Sequence, residues 1–244
     1  MVVNYCQKWS AEYQAEFPNR SIRTVAIGLS GEWRLVTRYL IPLKPPDALL
    51  KDHNIFEGMK RLARFVSFIP NVPDSVVLPG ISEVWSTCQE FLDMLMGDEE
   101  EHAILLCNFF LYLGCKKSGI VIGSGIPEGP TAYVIVWEFA AEEPSLWNPM
   151  TGQRFSPRDP FIPLNMVASI IVPDNVFANV QLHDHPNRIN YDLNKSSNWK
   201  PLFGRKFPFP HGLTSVQVCP LVLKFSSSLV LKFFLIHKGK EVER

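Results

Sequence analysis

The sequence has no excess of charge of either sign. Lys and Arg number 24, Asp and Glu number 24, and the net charge is zero. A protein that grips nucleic acid concentrates basic residues, so that class is set aside. Cysteine is sparse and unpatterned. The five (Cys6, Cys88, Cys107, Cys115 and Cys219) are odd in number and include no C-x-x-C, which excludes a disulfide framework or a zinc ribbon. No membrane-length apolar run exists. The most apolar stretch, Val216 to Ile236, is broken by Lys224, Lys232 and three serines, short of the roughly 18 charge-poor residues a span needs. The first residues lack the apolar core of a signal peptide, so a reducing, cytoplasmic setting is expected. Glycine (14) is outnumbered by proline (20), which points to short elements and many irregular connections.

What is present reads as an ordinary core-forming chain. Lys8 to Phe17 is a short amphipathic stretch. Ile22 to Ile41 alternates like two strands about a Ser30-Gly31-Glu32 turn, and Pro42, Pro45 and Pro46 close it. Asp47 is placed as the cap of a short helix. Glu57 to Ile69 is an amphipathic helix with Met59, Leu62, Ala63 and Val66 inward, and its basic face is read as solvated. Pro70 to Pro79 reads as a loop, and Val84 to Met96 as a second helix with Trp85, Cys88, Phe91, Leu92 and Leu95 on its apolar side. Asp98 and Glu101 have capping-box spacing and begin a third helix, ended at Gly114. It is apolar nearly all round, the pattern of a buried central helix. Strands then follow near 119–123, 131–138, 146–149, 167–172 and 176–182. A buried helix followed by closely spaced strands predicts an α+β domain with antiparallel pairing. Residues 1–45 are read as a strand-rich N-terminal segment, 46–215 as the main domain, and 216–244 as an atypical apolar tail. In that tail Leu221-Val-Leu-Lys-Phe recurs as Leu229-Val-Leu-Lys-Phe.

The order of buried helix, strand with Ala-aromatic-Val, then Trp-polar-Pro resembles the transglutaminase-like, papain-like cysteine fold. In active members a Cys at the helix start is the nucleophile, a His opening the strand is its base, and an Asp after the Trp orients the His. Here the helix start offers Glu99, Glu100 or Glu101, with Glu100 favoured. Thr131 stands where the His would be and Asn148 where the Asp would be. Neither thiolate nor imidazole base remains at those positions. More specifically, Gly97 to Gly114 and Ile126-Pro-Glu-Gly-Pro-Thr-Ala-Tyr-Val134 resemble the coiled-coil and C2 domain-containing protein 2 family, nearest its 2B-like branch. Thr37-Arg-Tyr-Leu-Ile-Pro-Leu43, Trp147-Asn148-Pro149 and Pro173-Asp-Asn175 support the same resemblance, which covers roughly residues 35–215. It implies a non-enzymatic scaffold at the ciliary transition zone, with other transition-zone proteins as partners and a place at the cilium base within the cytoskeleton. It implies no cofactor, no metal and no small-molecule substrate. The tail differs from the family's ending and is taken as splice-derived.

Several residues invite sharper readings. Cys107 lies more than two turns into the helix among Leu106, Phe109 and Phe110, so a packed thiol is expected rather than a nucleophile. Cys115 sits beside Lys116 and Lys117, which would favour its thiolate. An active cysteine peptidase or transglutaminase using Cys107 or Cys115, with His102 or His183, is the alternative. His102, in the first helical turn, either lines the remnant cleft or packs. His183-Asp184-His185 has the chemistry of a metal site but lacks a third ligand. Trp137 and Trp147 are expected as core partners on adjacent strands. Arg154, Arg158 and Arg188 are placed in loops, where they could meet an acidic partner.

Overall fold

The computed structural model describes residues 2–50, 54–77, 84–137 and 143–204. The 221–225 and 229–233 repeat, and the tail as a whole, lie outside the described residues.

Helix α1 (Val2–Glu16) turns its buried side chains Val2, Cys6, Trp9 and Tyr13 inward at 4-3-4 spacing. A short hairpin follows, β1 (Val25–Ile27) against β2 (Trp33–Leu35). Helices α2 (Ile55–Val66), α3 (Asp74–Val77), α4 (Cys88–Met94) and α5 (Glu99–Tyr112) come next. The remaining strands are β3 (Ser118–Gly125), β4 (Gly129–Val136), β5 (Ser145–Trp147), β6 (Arg154–Phe155), β7 (Leu164–Val172), β8 (Asn175–Asn179) and β9 (Trp199–Pro201). They form one antiparallel sheet in the order β6-β5-β4-β3-β7-β8-β9.

The sheet is covered on both faces. Ala132, Val134 and Val136 of β4 share the core with α5, while Tyr133 and Ile135 belong to the opposite cluster with Leu164, Tyr191 and Trp199. This explains why β4 reads as an unbroken apolar run rather than an alternation. Helix α5 is buried at every position from Glu101 to Phe110. Asn108 is its polar tie. Its carboxamide oxygen accepts from Ile41 N at 2.9 Å and its Nδ2 donates to Tyr39 O at 2.7 Å, which pins the segment after β2 to the central helix. Helix α1 packs on this same core. The Tyr13 hydroxyl donates to Asn179 O at 2.8 Å, and the Arg20 guanidinium donates to that same carbonyl oxygen at 2.7 Å.

Several sequence-based boundaries are corrected. The 8–17 stretch is part of a helix that begins at Val2. The strand expected through Ile41 ends at Leu35, and Val36–Tyr39 is a 3-10 turn. The short turn at Asp47–Leu49 is preceded by Pro46, whose side chain cannot cap, so Asp47 is its first residue rather than its cap. Helix α2 starts two residues before Glu57 because Asn54 Oδ1 caps it by accepting from Phe56 N. The loop of 70–79 contains the short α3. Helix 84–96 shrinks to 88–94. Val84 bridges Ile27, and Thr87 with Glu90 forms a capping box that fixes the start at Cys88. Leu95 closes α4 in the left-handed region (φ 53°) and is exposed rather than on the apolar side. Trp137 and Trp147 are not partners. Trp147 opposes Val134 and is fully buried toward α5, whereas Trp137 packs on the far face.

Candidate functional site

The start of α5 gathers carboxylates. Asp98 is the N-cap, accepting from Glu100 N, and Glu101 Oε2 reaches back to Asp98 N at 3.1 Å. The other oxygen of Glu101 accepts from Ser86 N at 2.9 Å, so this buried carboxyl ties the strand-like 84–86 segment to the helix. Asp74 Oδ2 accepts from Val84 N at 2.6 Å. Asp74, Asp98 and Glu101 bring one oxygen each within 4.8 Å of one another, as do Asp98, Glu99 and Glu100. Such oxygens suit a hard cation. In the first trio, however, Asp74 and both oxygens of Glu101 already serve backbone N–H groups, so these oxygens act as a helix cap and as braces of the 84–86 segment.

Burial dominates the electrostatics of this corner. Withdrawal from water, followed by the neighbouring Asp98 charge, raises the Glu100 carboxyl to about 8. Burial likewise pushes Glu101 well above the usual carboxylate range and lifts Asp74 to about 6. Arg23 is lowered by burial and partly restored by Glu100 and Asp98, so it is the cation facing this cluster.

A pH dependence follows. An unfolded Glu ionises at about 4.3, well below the folded Glu100. The folded chain therefore holds a proton that the unfolded chain has lost, and the stability so conferred is full below the unfolded value and lost as pH rises toward 8. Asp74 acts in the same sense over a lower window, up to about pH 6. The thermal midpoint is expected to fall by a few degrees from about pH 5 to about pH 8, and Glu100→Gln should flatten that slope in a melting series. A midpoint that rises over that range would contradict the assignment.

The other two residues expected at triad positions, Thr131 and Asn148, are interior. Thr131 is buried near the start of β4. Asn148, buried just after β5, donates from Nδ2 to the Tyr133 hydroxyl at 2.9 Å, while its Oδ1 accepts from Met150 N and Thr151 N. It therefore organises the Asn148–Gly152 turn. Among the described residues no hydrogen bond or ion pair joins Glu100 to Thr131 or Asn148. His102 is fully buried, with Nδ1 at Asp98 O and Nε2 2.9 Å from Ile69 O. Each ring nitrogen thus faces a backbone carbonyl oxygen, to one of which a neutral imidazole donates its N–H, and the ring packs edge-on against Phe91.

The cysteines and the remaining candidates are also accounted for. Cys107 has no exposed surface, and burial pushes its thiol far up. Cys88 is raised to about 11 by the same cause. Cys115 is half-buried with its Sγ 3.7 Å from Met59 Sδ. His183 is exposed, and His185 caps the 186–188 turn by accepting from Asn187 N. Neither joins a ligand cluster among the described residues. Arg154 lies in β6 over the Phe56 ring, and Arg158 is held by Glu143 at 2.6 Å. The Asp98–Glu101 capping box is found as expected, whereas the second reach of Glu101, to Ser86 N, and the brace from Asp74 to Val84 N have no local signal in the sequence.

Comparison with known proteins finds relatives for most of the chain. The CEP76 peptidase-like domain family matches residues 83–202. Human protein CC2D2B is 41% identical over 203 residues, which is 82% of this chain and 14% of that protein. The chain is similar to the coiled-coil and C2 domain-containing protein 2 family over most of its length. A Drosophila melanogaster member, coiled-coil and C2 domain-containing protein 2A, is 26% identical across 79% of the chain and 14% of its own length. Human centrosomal protein of 76 kDa is 26% identical across 81% of the chain and 31% of its own length. The chain thus spans about a seventh of the first two relatives. Among solved structures, calcium-bound LapG of Legionella pneumophila is 14% identical, with a TM-score of 0.47 over 57% of this chain and 76% of that one. The order of α5, β4 and β5 within one antiparallel sheet is the α+β arrangement that the sequence predicts.

Proposed function

We propose that this domain is a non-catalytic protein-interaction module of a ciliary scaffold, working at the transition zone at the cilium base with other transition-zone proteins as partners. Kinship with the coiled-coil and C2 domain-containing protein 2 family, and with a protein named for the centrosome, supports the setting. One observation carries the absence of chemistry. The positions corresponding to nucleophile, base and orienting acid hold Glu100, Thr131 and Asn148, and the last two are buried, Asn148 with its hydrogen bonds made within the fold. A carboxylate without a base lacks the nucleophilicity of a thiolate. His102, closest in sequence to Glu100, is committed to backbone carbonyls. In this reading residues 46–215 carry the module, and the first 45 brace it through Trp9 and Tyr13. The inherited triad positions serve as struts, and partner contact falls elsewhere on the surface.

The test is turnover. The purified chain, incubated with Gln-containing peptides and a primary amine, is expected to release neither ammonia nor cleaved or transamidated peptide above a protein-free blank. Product formation that Cys107→Ser or Cys115→Ser abolishes would replace this reading with that of an active cysteine peptidase or transglutaminase.

A further inference from the structure

We draw no further inference here: the strongest candidate, the groove beyond the end of β4 that Trp137, Phe177 and Tyr191 line on the sheet face away from α5, has a described wall that stops at Trp137 and resumes at Glu143, and nothing in the structure shows what covers it.

Discussion

Replacing Trp147 with alanine is expected to cost about 3–5 kcal/mol of unfolding free energy, the range for deleting a buried large aromatic. The side chain has no exposed surface. Its ring meets Phe110 of α5 edge-on at 5.2 Å and Phe56 of α2 at 6.2 Å. Its indole N–H donates to Ser145 Oγ at 3.1 Å, so alanine also strands a hydroxyl. Trp147 thus joins the sheet to two helices, and nothing nearby can collapse into the space without moving one of them. Chemical denaturation followed by circular dichroism should show either a strongly lowered midpoint or no folded baseline. A loss below about 1 kcal/mol would mean that the helix-to-sheet packing differs from that described.

Gly123→Val is expected to be as damaging for the opposite reason, a lack of room. A Cβ at Gly123 would stand 1.9 Å from Met166 O, a backbone atom of the paired strand. The register between β3 and β7 shifts at this point, between Ile122 and Gly123. The close approach of the two backbones depends on the missing side chain. A pairing at the centre of the sheet would have to open, at about 3 kcal/mol or more. Gly114→Ala is the control. Its φ of 92° strains a side chain, but nothing lies within 4 Å of the added carbon, so about 1 kcal/mol is expected. Thermal melts of both variants against the parent chain measure the difference. Equal losses would show that backbone conformation, not contact between β3 and β7, governs the strand.

The parts of the fold legible in the sequence are those with a strong local cause. Helix α5 announces itself by the Asp98–Glu101 box and by apolar residues on every side, and it is found within a residue of its expected ends. Strand β4 is legible because a strand buried on both faces needs an unbroken apolar run. Elsewhere local signals were outvoted or overlooked. The Thr87-x-x-Glu90 box starts α4, yet the apolar Val84 and Trp85 before it mimic a longer helix. Those two residues instead belong to a bridge beside β1, with Trp85 N donating to Ile27 O. The beginning of α1 was readable from Val2, Cys6, Trp9 and Tyr13, whose heptad-like spacing marks one buried stripe.

The candidate site divides in the same way. Glu100, Thr131 and Asn148 are expected from motif alone. The partners of Glu101, Asn148 and His102 are not legible, because Ser86, Tyr133 and Ile69 reach them from 15 to 33 residues away. The groove beyond β4 is invisible in sequence for the same cause. Its described wall draws on residues 116–118, 137, 143–144, 157–158, 172–174, 177 and 186–194, which the antiparallel register helps bring together.

Thiol reactivity is the most direct probe of a fold kept without its chemistry. Brief exposure of the native chain to iodoacetamide at neutral pH, followed by peptide mass spectrometry, reports each cysteine separately. Cys6, Cys88 and Cys107 carry thiols raised by burial, and Cys115 is half-buried against Met59. All four are expected to alkylate more slowly than glutathione. Fast, selective labelling of Cys107 or Cys115 that disappears on replacing His102 or His183 would reveal a working thiolate–imidazole pair and contradict the account.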